Sequence, residues 1–214
     1  NRNRDCSSGV CLSIENVDTG AGTLDIYMTN QAGCSYCDDP IYNNNFQNWT
    51  GQKEVCEGLG GSSWVSYADI SEEECSEIPS LNENGGWWFN GEIGGFQFEL
   101  PGATLTNASG GRAEESGFTT MVTPSKVIGF SLTGATIPAG EGTLTQVSFT
   151  EFNGAEICFG EDTGSDGSTV ISGVQEANGI IESLYVAANW GDCACPAGLD
   201  ECGVCGGSGI SDGA

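Results

Sequence analysis

The stretch from Ile93 to Phe149 organises the chain, and the alternation of apolar and polar residues at its centre constrains the fold more than any other feature. There, Gly94-Gly95-Phe96-Gln97-Phe98-Glu99-Leu100 sets Phe96, Phe98 and Leu100 against Gln97 and Glu99. One face is greasy and the other wet, as in a half-buried strand. Pro101-Gly102 ends the run.

The alternation recurs elsewhere. Val10, Leu12 and Ile14, then Leu24, Ile26 and Met28, flank the turn Asp18-Thr-Gly-Ala-Gly22 and predict an opening hairpin. Further strands are predicted at Leu105, Phe118 to Val122, Val127 to Leu132, Thr143 to Phe149, Ala155 to Phe159, Thr169 to Ser172 and Ile181 to Val186. Ala108 to Arg112 reads as a glycine-rich turn. About nine short strands punctuated by Gly and Pro predict an all-β, jelly-roll-like sandwich of two sheets. A chain of 214 residues can bury one sizeable core plus small satellites.

The order of these motifs resembles the cohesin modules and their carbohydrate-binding-module relatives. The likeness rests on the Gly95-Phe-Gln-Phe-Glu-Leu100 strand, the strand running through Leu132 to Thr133-Gly134, the Ile137-Pro-Ala-Gly-Glu-Gly142 turn and the Leu144-to-Phe149 strand. It spans residues 10 to 33 and 92 to 186 and implies a cohesin-like sandwich over residues 10 to 190. Cohesins bind dockerins through one sheet face, but no recognition residue carries over to this chain.

Residues 34 to 91 break the pattern and read as a helical insertion within the sandwich. Thr50 is placed to cap a helix through Leu59 that stops at Gly60-Gly61. Ser71-Glu-Glu-Glu74 is a capping box that opens a second helix through Ile78. Helices this short are marginal in water unless pinned, so a disulfide between Cys56 and Cys75, one on each helix, is expected. Residues 1 to 9 form a polar arm. Residues 191 to 214 form a Cys/Gly-rich segment whose Asp200-Glu-Cys-Gly-Val-Cys-Gly-Gly207 resembles the tandem cysteine repeats of extracellular proteins from microbial eukaryotes and marine microbes.

Eleven clustered cysteines predict an oxidised, extracellular protein. Cys6, Cys11, Cys34, Cys37, Cys56, Cys75, Cys193, Cys195, Cys202 and Cys205 are the expected bridge formers. Cys158 sits in an apolar run, and with an odd total one thiol is left free or bonds elsewhere. The alternative for Cys34, Cys37, Cys56 and Cys75, and for the last four cysteines, is zinc. The sequons Asn48-Trp-Thr50 and Asn107-Ala-Ser109 predict N-linked glycans on Asn48 and Asn107. The chain starts at Asn1 without a methionine, which reads as a signal peptide already removed.

Thirty acidic residues against five basic ones give a net charge of −25, a surface that repels nucleic acid and anionic membranes and welcomes cations. No run of about 18 apolar residues predicts membrane insertion. Asp162 and Asp166 flank a turn that is a calcium candidate, although the carboxylate an EF-hand needs at its twelfth position would fall on Gly173. Trp87 and Trp88 are candidates for stacking on sugar rings, the alternative being that they fill the insertion's own small core. The chain has no histidine, which removes the usual partner of a serine or cysteine nucleophile. The acid pairs Glu114-Glu115 and Glu72 to Glu74 lie in no apolar setting that would suit a glycosidase.

No enzymatic role is therefore expected. The expected function is a glycosylated, disulfide-rich extracellular structural protein that polymerises into a cell-surface or shed fibre. The basic arm, with Arg2 and Arg4, would dock on an acidic groove or open sheet edge of the next subunit. A binding module for a dockerin-like partner or polysaccharide is the alternative, and a glycoside hydrolase the third reading.

Overall fold

β1 (Gly9–Asp18) and β2 (Thr23–Gln31) form the opening hairpin, burying Leu12, Ile14, Leu24, Ile26 and Met28. Asp18 Oδ1 closes the turn, accepting from the backbone N–H of Gly20 and Ala21 at 2.8 Å each. Gly22 follows at φ +69, with the carbonyl of Phe149 where a Cβ would sit, so this position requires glycine twice over. The computed structural model describes residues 6–43, 49–59, 61–83, 85–152, 154, 156–162, 169–177, 180–200 and 205–206.

Beyond the hairpin come β3 (Gly33–Cys37), α1 (Trp49–Leu59), β4 (Trp64–Ala68), α2 (Glu72–Ser76) and β5 (Trp87–Phe89). Then follow β6 (Ile93–Glu99), β7 (Ala103–Ser109), α3 (Gly111–Glu115), β8 (Thr119–Val122), β9 (Lys126–Phe130) and β10 (Gly140–Phe152). β11 (Val170–Ala177), β12 (Ile180–Val186) and β13 (Ala188–Asn189) complete the order.

Two five-stranded sheets result, β13-β1-β2-β10-β7 and β12-β11-β6-β9-β8, antiparallel except where β13 runs parallel to β1. Their buried faces share one core, with Leu12, Ile26, Leu144 and Val147 from the first sheet and Phe96, Phe98, Val127 and Ile171 from the second. The fold is all-β. Each such side chain contributes about 1.5–3 kcal/mol on burial. Phe96 lies over its cross-strand partner Gly129, where a Cβ would strike the ring, and stacks between Phe98 and Phe118 at centroid distances of 6.1 Å.

The Ile137-Pro-Ala-Gly turn is seated by hydrogen bonds. Ile93 and Ile137 exchange both backbone bonds, at 3.0 and 2.8 Å. The fully buried Asn30 side chain donates to Gly91 O at 2.6 Å and Pro138 O at 2.9 Å. Arg112 on α3 donates to Asn30 Oδ1 at 2.7 Å and to Pro138 O.

The structure corrects the sequence reading in several places. The 34–91 insertion is not simply helical: β4, β3 and β5 form a three-stranded sheet there. Its strands are short, and the register shifts between Cys34 and Tyr36, which hides the period of two. α1 begins at Trp49, so Thr50 falls within the helix and not ahead of it, whereas Ser71 caps α2 in a complete capping box with Glu74. Ala108 to Arg112 is not a turn, because β7 runs to Ser109 and α3 starts at Gly111. β9 ends at Phe130, leaving Leu132 84% exposed. Among the described residues around Ile157 there is no strand but a single bridge to Ala194.

Candidate functional site

The most constrained cluster outside the main core lies where the first residues of β1, strand β4, the segment around Asp162 and the chain after β12 meet. Tyr67, on β4, has φ +48, a left-handed conformation costly for an aromatic residue. Its neighbours enforce it. Its N–H donates to Ser35 Oγ at 2.9 Å, its carbonyl accepts from the Ser8 hydroxyl, and its ring packs edge-on against Phe89 at 5.7 Å. Gly9, at φ +79, leaves room for that ring where any Cβ would collide with it.

Asp162 ties the other segments together. One carboxylate oxygen accepts from the Trp190 indole N–H at 2.8 Å and the other from the Tyr185 hydroxyl at 3.2 Å. The Trp190 ring packs on Phe159 at 5.2 Å, and Phe159 packs on Phe98 at 5.7 Å, so the cluster connects to the main core. Burial raises the Tyr185 phenol to about 12, and the Asp162 charge and hydrogen bond push the same way. Burial likewise holds Tyr67 well above its ordinary value, with the charged form of Tyr185 the next cause. Beside them a cavity of about 240 Å³ is lined by the Cys6–Cys11 pair, Ser8, Tyr67 and Asn189 among others. Chemically the cluster holds two phenols neutral against one carboxylate. Neither phenol is poised as a base or nucleophile at neutral pH, and the arrangement acts as a lock between chain segments.

Disulfides fix the same regions. The bridges are Cys6–Cys11, Cys34–Cys75, Cys37–Cys56, Cys158–Cys193 and Cys195–Cys205. Two expectations are overturned. Cys56 and Cys75 do not bond each other; both are tied to β3, Cys56 through Cys37 and Cys75 through Cys34. Cys158 is not the odd thiol: it bonds Cys193 and anchors the C-terminal segment to the sandwich. Cys202 lies outside the described residues. Among the described residues, two groups have donor atoms within 4.8 Å of one another, Cys37 with Asp38 and Cys56, and Glu156 with Cys158 and Cys193. Cysteine binds metals as thiolate, and these four sulfurs are spent in disulfides.

The other predicted residues scatter. Trp87 packs with Trp64, Cys37 and Cys56 in a second small core, while Trp88, next to it in β5, is half-buried. Asn107 is exposed on β7. Asp166, Asn48, Arg2 and Arg4 lie outside the described residues. Glu72, Glu73 and Glu74 line the first turn of α2, and Glu114 accepts from Gly110 N at 2.6 Å, so these acids serve helix starts. Of the three described basic residues, Arg112 is turned inward to Asn30, Lys126 pairs with Glu99 at 3.5 Å, and Lys53 is exposed on α1.

Sequence reasoning missed Tyr67, Tyr185 and Trp190 as partners of Asp162. Tyr185 and Trp190 lie 23 and 28 residues beyond Asp162 and Tyr67 comes from the insertion, and no spacing signals that they meet. Among the described residues no helix is long and apolar enough to cross a membrane. Comparison with models of known protein families, with curated proteins and with solved structures found no match.

Proposed function

We propose that the chain is an extracellular structural protein, a rigid building block that self-associates into a cell-surface or shed fibre. The observation that carries this reading is the placement of the disulfides. The N-terminal segment, the insertion and the C-terminal segment are each bonded covalently to themselves or to the sandwich. Cross-links of this kind restrict the unfolded chain most where the loop closed is long, and they suit a molecule that bears load outside the cell. In this reading the two sheets are a cohesin-like jelly roll put to structural use, and assembly runs through the basic arm.

A second reading, a module that binds polysaccharide or a dockerin-like partner, draws support from Trp88, which is half-buried on the edge strand of the small sheet. Negative-stain electron microscopy of material from the native source separates the two. A regular polymer is expected, and particles that stay monomeric at every protein concentration would overturn the structural reading.

A further inference from the structure

The sequon Asn107-Ala108-Ser109 sits at a break in regular strand geometry. Along β7 the partners on β10 run Ser109 with Gln146, Ala108 with Val147 and Asn107 with Ser148; then the register shifts, so that Leu105 pairs with Phe149. Thr106 is the extra residue of a β-bulge. In an unbroken strand Leu105 inward would place Thr106 outward and Asn107 inward. The bulge instead turns Thr106 and Asn107 outward together and sends Ala108 to the core at 4% exposure. Asn107 and Ser109 thereby share the exposed face, and Asn107 Nδ2 donates to the Ser109 hydroxyl at 3.2 Å.

We infer that Asn107 carries an asparagine-linked oligosaccharide and that the β7 bulge is what presents it. In the transfer, Asn107 Nδ2 bonds to the anomeric carbon of an oligosaccharide carried on a lipid pyrophosphate. The pyrophosphate leaves with the electron pair of the broken C–O bond, and the amide gives up one proton. One amide hydrogen remains, enough to keep the bond to Ser109, so the folded strand accommodates the product without rearrangement. The sugar projects from the face of the first sheet beside Ser148 and Thr23, its cross-strand neighbours. It hydrates the exposed side of the end strand, a position where bare strands invite pairing with other chains. The polar residues Thr104, Thr106 and Ser109 flank the site.

This inference rests only on the secreted location in the structural reading, not on fibre formation. The test is the full chain secreted from a eukaryotic cell and treated with peptide N-glycosidase in heavy-oxygen water. Peptides spanning residue 107 are expected to carry heavy-oxygen aspartate at that position only after treatment, and Ser109→Ala is expected to abolish the label while leaving secretion and the unfolding midpoint unchanged. Unmodified Asn107 in secreted, fully disulfide-bonded protein, or a label that persists in Ser109→Ala, overturns the inference and leaves the structural reading standing. Failure to be secreted with its disulfides formed overturns both.

Discussion

The Trp190 indole donates to the Asp162 carboxylate at 2.8 Å, and Tyr185 donates to the other oxygen of the same group. A carboxylate held this way stabilises the neutral phenol beside it. Burial first, and the Asp162 charge and hydrogen bond after it, keep the proton on Tyr185 in the folded protein up to about pH 12, whereas in the unfolded chain it is released near 10.0. Its contribution to stability is complete below pH 10 and is lost as pH rises through about 12. Alkaline titration followed by tyrosinate absorbance should show Tyr185 and Tyr67 ionising after free tyrosine. In Asp162→Asn, Tyr185 should titrate earlier but stay above 10.0, because burial is the larger cause. A Tyr185 that ionises at its ordinary value in the native protein would show the contact to be absent.

The disulfide pattern predicts a stability order. By chain-entropy reasoning, a bridge closing a loop of Cys34–Cys75 size is worth about 4 kcal/mol, and one closing a loop as short as Cys6–Cys11 about 2 kcal/mol. Cys34→Ala with Cys75→Ala should lower the denaturant midpoint more than Cys6→Ala with Cys11→Ala. Non-reducing peptide mapping should recover Cys37–Cys56 and Cys34–Cys75 and no Cys56–Cys75 peptide, and metal analysis should find no zinc. Stoichiometric zinc, or Cys56–Cys75 as the main species, would refute the pairing.

Gly129 offers a test of the core. Its Cα lies beneath the Phe96 ring, so Gly129→Ala must displace that ring and disturb its stacks on Phe98 and Phe118. Overpacking of this sort costs about 1–3 kcal/mol. Gly95→Ala on the adjacent strand is the control for simple loss of a strand glycine, because its φ is not positive and the nearest atom to its Cβ would be at 3.6 Å, an ordinary contact. Equal losses in the two variants would mean that Phe96 moves freely.

How much of this was legible beforehand depended on how local the cause was. Phe96, Phe98 and Leu100 announced a buried strand because side-chain direction follows from neighbours two apart. The Ser71 capping box was equally local, with the hydroxyl and the Glu74 carboxylate answering each other three residues away. Cysteine partners were not legible. Four nearby cysteines allow three pairings by spacing alone, and the choice is made by β3, which sets Cys34 and Cys37 against α2 and α1. The Asp162 cluster was invisible for the same reason. The β7 bulge was hidden because it conceals one step of an otherwise regular alternation, and Ala108 to Arg112 reads as a turn because Gly110 and Gly111 stand together at the junction of β7 and α3.

Acid should loosen α2. Backbone and side-chain hydrogen bonds from Ser71 hold the Glu74 carboxyl below its ordinary 4.5. Its contribution is present above that value and is lost as pH falls through the lower folded value. Ser71→Ala keeps the backbone N–H and loses the hydroxyl, so the Glu74 carboxyl should rise only part of the way toward 4.5, as read by NMR titration. An unchanged titration would show that the capping box does not form in solution.

The final prediction concerns assembly. Two of the five basic residues, Arg2 and Arg4, lie in the arm, and the Cys6–Cys11 bridge fastens its base to β1. Of the other three, Arg112 is committed to Asn30 and the Pro138 carbonyl, and Lys126 to Glu99. Lys53 alone among the described basic residues presents its charge on an open helix surface. Copies of so acidic a molecule repel each other, and salt screens that repulsion beyond about 10 Å at 0.1 M. A contact that holds two copies together needs positive charge at close range, and the arm is where it is concentrated. Deleting residues 1–5 should therefore reduce polymer formation severely while leaving the unfolding midpoint of the sandwich unchanged. Replacing Arg2 and Arg4 by glutamine in the full-length chain should weaken assembly in the same direction. Polymers that form undiminished from the truncated chain, counted by electron microscopy at matched concentration and salt, would place the contact elsewhere on the molecule.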